Sequence, residues 1–313
     1  MLKYSLQRIG RSVITIVIIV AVIFSLLRLM PIEGYFANFE KLSETAIQNG
    51  LEKLGLNDPL HVQLVRFFKQ LLKGDLGVSY KLRRNVPITD FLGGMAKVSA
   101  RFGLLAMGVS LPLGMCLGAM MARKKGGLWD KMGNLYIIII QAVPNAVYFL
   151  LLQVFGTAAI GCSMLYRPED PRTMIIPVLS TAMPSISGYA MWLRRYMVDE
   201  TNKDYIKLAR AKGVPNTTIW FRHVFRNSVV PMVAQIPGSL LMTISGSIYV
   251  ESLYGIPGMG GLLVNAIKQQ DNTLVQALVL IYSILGIVGL LLGDLLMAAV
   301  DPRISFTKKG GSR

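Results

Sequence analysis

The sequence predicts an all-α membrane protein: six transmembrane helices, a helical extracytoplasmic segment after the first, and a cytoplasmic hairpin between the fourth and fifth. Three observations carry this. The 313 residues are 53% hydrophobic and only 16% charged, where a soluble domain carries about a quarter charged residues. The apolar residues gather into uncharged runs long enough to span a bilayer. Lysine and arginine crowd alternate connections between those runs.

The runs are Ser12 to Leu27, Phe102 to Met121, Met132 to Tyr166, Thr173 to Leu193, Asn227 to Val250, and Asn272 to Gly293. A spanning helix needs roughly 20 apolar residues. The first run is shorter, but Arg11 and Arg28 can snorkel from its ends. A cleaved signal peptide is the alternative, since Lys3, Arg8 and Arg11 precede an apolar core; the length of that core and the lack of a small-residue cleavage pattern favour a retained anchor. The third run exceeds one span, so it is expected to bend at Pro144 or to continue as a loop after Gly156. Residues 1–30 thus read as a tail with the first span and 31–97 as the extracytoplasmic segment. A five-span core follows over 98–300, with its hairpin at 199–226, and then a cytoplasmic tail, 301–313. Within 31–97, Leu60, Leu64, Phe67, Phe68 and Leu71 form an apolar stripe at helical spacing, broken by Gly74 to Gly77.

The net charge is +16, and its placement argues against nucleic acid as a partner. Basic residues precede the first span, fill Arg123 to Lys131, crowd Arg194 to Arg226 and return at Arg303, Lys308, Lys309 and Arg313. The alternate connections, 161–172 and 253–271, are far poorer. That asymmetry puts both termini and the hairpin in the cytoplasm. In 31–97, seven acidic residues offset the basic ones.

Catalytic chemistry finds no foothold. Cys116 and Cys162 read as buried structural thiols. His61 and His223 fall on opposite sides of the membrane and cannot share a metal. No metalloprotease or nucleophile-elbow motif occurs, and without a Gly-Lys-Ser/Thr phosphate loop the chain should not hydrolyse ATP alone. No catalytic residue, metal site or bound cofactor is expected.

The hairpin reads as two short helices. Residues 199–212 begin acidic and end basic, which suits the helix dipole. Tyr205, Leu208, Ala209 and Lys212 share a face. Gly213 is expected as a left-handed cap, and Pro215 suits the start of a second helix capped by Asn216 or Thr217. Ile219, Trp220, His223 and Val224 form that helix's face. Lipid headgroup contact and protein docking are both open on these residues. Polar groups inside apolar runs, Gln141, Asn145, Gln235, Ser239, Thr243 and Ser247, are candidates to line a pathway or to tie helices together. Glu251, Pro257, Gly258 and Gly260 mark the outer end of the fifth span. There a turn needing Pro and Gly is the simple reading and a gate the sharper one. Asp294 is expected to pair with Arg or Lys.

The stretch from Asp204 to Pro231 resembles the cytoplasmic coupling loop of ABC importer permeases of the oligopeptide and dipeptide branch. Aligned on Gly213, the chain has Lys207-Leu208-Ala209 where the general signature has Glu-Ala-Ala. The Ala-Arg-Ala-Lys-Gly string at 209–213 is the closer match. Leu54 to Tyr80, Glu251 to Ala277 and Asp301 to Arg303 resemble the same branch in the same order. The resemblance implies that Tyr205, Leu208, Ala209, Arg210, Ala211, Lys212, Gly213 and Trp220 couple the permease to an ATPase. It implies a second permease subunit, homologous or identical, two cytoplasmic ATPases carrying ATP and magnesium, and an extracytoplasmic binding protein, within a prokaryotic inner membrane and its lipid. Relatives carry nickel chelates or oligosaccharides, so cargo stays open. A secondary transporter or channel would favour inverted repeats or a buried charge relay, and neither is seen.

Overall fold

The computed structural model describes residues 2–300; the tail residues Arg303, Lys308, Lys309 and Arg313 and the Asp301 to Arg303 motif lie outside the described residues. Helices dominate. Four are long and apolar enough to cross a membrane: α1 (Leu2–Leu27), α4 (Ile88–Arg123), α8 (Ile175–Thr201, entered through a tight turn at Pro171–Met174) and α15 (Asn272–Val300). Two bent helix pairs pass the same test together, Leu128–Ala142 with Asn145–Ile160 and Asn216–Val233 with Ile236–Tyr254, giving up to six spans.

The chain divides into two compact units. The first is built on Arg101–Thr243 with the described parts of both chain ends. In it α5 (Leu128–Ala142) stops at Val143 because the residue before a proline is pushed out of helical geometry; Val143 sits at φ −83° and ψ 129°. Past Pro144 the chain turns by 106° into α6 (Asn145–Leu151), a π-helical turn (Leu152–Gly156) and α7 (Thr157–Ile160). The expected bend at Pro144 is therefore present, and the helix continues past Gly156 to Ile160 before Gly161, φ 69°, ends it. Close approach of helices rests on small residues. A Cβ on Gly118 would lie 2.6 Å from the Ala190 carbonyl oxygen, and one on Gly289 2.8 Å from Gly238 Cα. A bidentate pair joins α5 to α8: Arg194 donates through Nε and Nη2 to Asp130 at 2.5 and 2.9 Å. Asp294 pairs with Arg8 at 2.8 Å.

The second unit holds Gly10–Ala100 and Ile244–Ile287. Its segment after α1 is more structured than a single helical stripe. Ser43 caps α2 (Glu44–Leu54), accepting from the Ala46 N–H, and Gly55 at φ 65° closes it. In α3 (Leu60–Leu72), Leu64, Phe67, Phe68 and Leu71 are half-buried while Leu60 is exposed; Phe67 stacks on Phe24 with centroids 4.9 Å apart. A short antiparallel pair, β1 (Val78–Ser79) and β2 (Val86–Pro87), leads straight into α4, which starts nine residues before Lys97. The unit's core joins Ile88 and Phe91 to Met259, Leu262 and Leu263 of α14 (Met259–Lys268) and to Leu274, Val275 and Leu278 of α15.

Candidate functional site

The basic hairpin belongs to the first unit. The helix expected over 199–212 is two helices: residues 199–201 finish α8, and after Asn202 and Lys203 a new helix, α9 (Asp204–Ala211), begins. Gly213 follows at φ 73°, with its N–H on the Arg210 carbonyl at 3.0 Å and the Val214 N–H on that of Ala209 at 3.1 Å. Gly213 is thus in the left-handed conformation that glycine adopts without steric cost. Neither Asn216 nor Thr217 caps the next helix; Pro215 holds the cap position without a side-chain bond. Proline already fixes φ there and has no N–H to satisfy. After α10 (Asn216–Thr218) the chain makes a π-helical stretch, Ile219–Phe225, and continues as α11 (Arg226–Val233).

The face of α9 that carries Tyr205, Leu208 and Lys212 points outward. Ile206 is the fully buried residue, packed with Leu193, Met197, Ile219 and Val224, while Ala209 is only half-buried at its edge. Tyr205 and Leu208 are 40% and 56% exposed, and Arg210, Ala211, Lys212 and Gly213 are exposed. The inward side is set by one isoleucine, Ile206. On the second arm, Ile219 and Val224 are both buried, with Trp220 and His223 half-buried; five-residue spacing keeps the first two on one side because a π-helix bonds i to i+5. Tyr205 ties the arms to α8: its hydroxyl donates to Glu200, and Asn227 Nδ2 donates to the Tyr205 oxygen at 2.7 Å and to Glu200 at 3.2 Å. Lys207 holds the Asp204 carboxyl below the usual aspartate range by a hydrogen bond and its charge. The result is a braced corner with an inward apolar lining and an outward surface of Leu208, Ala211 and basic groups.

The pathway candidates do not form one cluster; no side chain among the six bonds to another. Gln141 donates to Met191 Sδ at 3.5 Å, and Asn145 accepts from the Tyr148 hydroxyl at 2.9 Å. Gln141, Asn145 and Gln235 are exposed and Ser239 half-buried. Thr243 donates to the Leu240 carbonyl at 2.7 Å, and Ser247 accepts from the Val250 N–H as the cap of α13 (Ile248–Tyr254).

In the second unit, Glu251 is 2% exposed. It accepts from Ser99 Oγ at 2.7 Å and the Gly261 N–H at 3.0 Å, and Ser99 accepts from the Met259 N–H at 2.8 Å. Gly246, φ 72°, breaks the helix between α12 (Ile236–Ser245) and α13, and any Cβ there would strike Glu251 Oε1 at 2.0 Å. A Cβ on Gly258 would meet the other oxygen at 2.4 Å. Gly258 and Gly260 are buried and Pro257 exposed. The glycines thus make room for a carboxylate that stitches the helix break, the following loop and α4.

Sequence reasoning missed a second buried carboxylate. Asp271 is 0% exposed; it accepts from Ser79 Oγ at 2.6 Å, from the Lys81 and Leu82 N–H groups at 3.1 Å each, and more weakly from those of Tyr80 and Leu274. It caps α15 and gathers the loop after β1 at once. An aspartate immediately before an apolar run was the available signal. Beside it, burial and the Asp271 charge raise the Tyr80 hydroxyl above the usual tyrosine value. Among the described residues no group of three or more His, Cys, Asp or Glu is placed to hold a metal.

Residues 114–306 match the family model described as binding-protein-dependent transport system inner membrane component. This chain belongs to that family. The family's N-terminal model matches residues 1–84, so the hairpin and Glu251 with its glycines lie in the first match, and α1 to β1 in the second. The chain is 33% identical over 215 residues to the oligopeptide transport system permease protein AmiC of Streptococcus pneumoniae, covering 68% of this chain and 43% of that protein. It is 30% identical to the oligopeptide transport system permease protein OppB of Salmonella typhimurium, over 98% of this chain and all of the other. The dipeptide transport system permease protein DppB of Bacillus subtilis is 29% identical, over 99% and 100%. A crystal structure titled as an amino acid ABC transporter with histidines shares the fold, with a TM-score of 0.52 at 15% identity over 69% of this chain and 95% of that one. This permease is accordingly a multi-pass component of a transport system, and not its ATPase.

Proposed function

We propose that this chain forms half of the translocation pathway of an ABC importer for di- or oligopeptides. It crosses the prokaryotic inner membrane six times with both termini in the cytoplasm. Its segment 31–97 faces outward toward a solute-binding protein, and a core over 98–300 pairs with a second permease subunit. The hairpin 199–226 docks on one of two cytoplasmic ATPases, which carry ATP and magnesium. Family membership supports the importer role, and the printed names of the relatives support peptide cargo. The observation that carries the docking role is the braced corner: Ile206, Ile219 and Val224 hold it to the permease from inside while Leu208 stays 56% exposed beside Gly213. A rigid, outward apolar corner can pass the closure of an ATPase pair to the spans as a rigid-body movement. The exposed Gln141, Asn145 and Gln235 supply polarity to the pathway, and the Glu251 cage with Pro257, Gly258 and Gly260 closes its outer loop.

Leu208→Glu tests this. The side chain is on the surface, so membrane level and thermal stability should hold. Co-purification of the ATPases and ligand-stimulated ATP turnover should both fall. Lys212→Gln removes only a charge and should change little. Normal turnover in Leu208→Glu together with loss in charge-neutralised variants would make the hairpin a lipid contact and refute the docking role.

A further inference from the structure

Near the end of α1 the second unit forms a partly open cavity of about 220 Å³ whose wall carries two donors with nothing to hold. The Arg28 side chain forms no hydrogen bond or ion pair among the described residues, and its Nε is buried without a partner. Ring faces keep it in place: its guanidinium carbon lies 4.6 Å from the Phe24 centroid and 5.2 Å from that of Tyr35. Stacking of this kind leaves the edge of the guanidinium, where its N–H groups point, free for an acceptor. Tyr35 is 5% exposed and its hydroxyl, in the same wall, also lacks a partner.

Such donors are costly to leave unmade. The wall's own acidic groups do not satisfy them. Asp75 is the one carboxylate lining the cavity, and it accepts from the Gly77 N–H of its own loop at 2.8 Å. Tyr80, the remaining titratable group there, is held neutral by burial beside Asp271. The rest of the lining includes Phe67 and Leu280, which are apolar. A fork of charged N–H groups with a phenol beside it recognises an oxyanion. The volume lies below the roughly 300 Å³ at which drug-sized sites begin, so the part of a guest held inside it is small.

We infer that this cavity binds a small amphiphilic oxyanion, a carboxylate or phosphate on a short apolar body, with Arg28 and Tyr35 donating to its oxygens and Phe67 and Leu280 against its apolar part. The inference is independent of cargo and of the hairpin's role. The guest's oxyanion could arrive as a free carboxylate or as the phosphate of a phospholipid.

The test is thermal unfolding of the full chain, co-purified with its partner subunits in detergent and titrated with hexanoate, dihexanoyl phosphatidic acid or uncharged hexanol. A ligand of the folded state raises the unfolding temperature saturably. At least one anion should do so, and hexanol should not. Response to hexanoate assigns the site to free carboxylates, and response to the phosphatidic acid alone assigns it to lipid. Arg28→Met should weaken the responding anion at least about tenfold, the loss of a charge-assisted pair, with the unliganded unfolding temperature little changed, because only the contacts to the Phe24 and Tyr35 rings are lost and methionine packs on aromatic rings as well. Tyr35→Phe should weaken it a few-fold, and this variant decides the matter if Arg28→Met proves unstable by itself. Absence of a saturable response to both anions, an equal response to hexanol, or unchanged affinity in these variants overturns the inference.

Discussion

Replacing Asp271 by alanine would free a set of donors that one carboxylate now holds. Three of them sit at 2.6 to 3.1 Å from one carboxylate oxygen: the Ser79 hydroxyl and the Lys81 and Leu82 N–H groups. The site is fully buried, so water does not take over without local opening. At about 1 kcal/mol for each orphaned donor and about 1 more for the lost cap of α15, the cost is about 4 kcal/mol. Every 1.4 kcal/mol is about tenfold in an equilibrium, so opening of the loop after β1 becomes nearly a thousandfold easier. Hydrogen exchange with mass spectrometry on peptides covering 79–86 reads this directly, since local opening sets the exchange rate. Ser79→Ala removes one donor along with its bond and strands only the Arg83 N–H, which that hydroxyl accepts at 2.9 Å, so it should accelerate exchange less. Exchange in Asp271→Ala within tenfold of the parent, in a protein still folded, would refute the reasoning.

Three further outcomes are expected. Gly118→Leu should abolish accumulation of folded protein on a membrane western blot, because its Cβ meets Ala190 backbone at 2.6 to 3.2 Å; Gly108→Ala, with open space around it, should be silent. Asp130→Ala should destabilise the fold by about 3 to 5 kcal/mol, read as a lower thermal midpoint, as it strands the Arg194 guanidinium in a half-buried site, while the Asp130→Asn, Arg194→Gln pair recovers part of it. The Asp204 carboxyl titrates below its unfolded value because of Lys207, so the pair's small contribution is complete above the ordinary aspartate range and lost as pH falls through the depressed value. A carbon-13 titration of that carboxyl should show the low midpoint, returning to normal in Lys207→Gln.

What the sequence made legible follows from which forces are local. The long apolar helices were readable because bilayer-length apolar runs carry their own signal, and the break at Pro144 because proline acts on the residue before it. Gly213 was readable for the same reason. The inward side of α9 was not: Ile206 lies between Tyr205 and Lys207 in the chain, and its partners Leu193 and Val224 come from other helices. Glu251 stood out within an apolar run, but nothing marked Ser99 as its donor, since 152 positions separate them. Asp271 had a visible cap signal, yet its larger role depends on amides about 190 positions away. Arg28 read as a snorkelling residue; only the packed rings of Phe24 and Tyr35 reveal that it lines a cavity.

The π-helical stretch from Ile219 to Phe225 has a consequence for how the chain can vary in length. Each residue of an ordinary helix turns about 100°, and a π turn absorbs one more residue than an α turn does. Removing a single residue there would let the backbone relax to α geometry with every hydrogen bond remade. Everything downstream would then be rotated by about that 100° relative to Ile219. Val224 and Met232 would swing off the core they share with Leu193, and Ser228, buried now, would swing with them. A one-residue deletion in 219–225 acts as a change of phase, felt along the whole of α11, and not as a shortening.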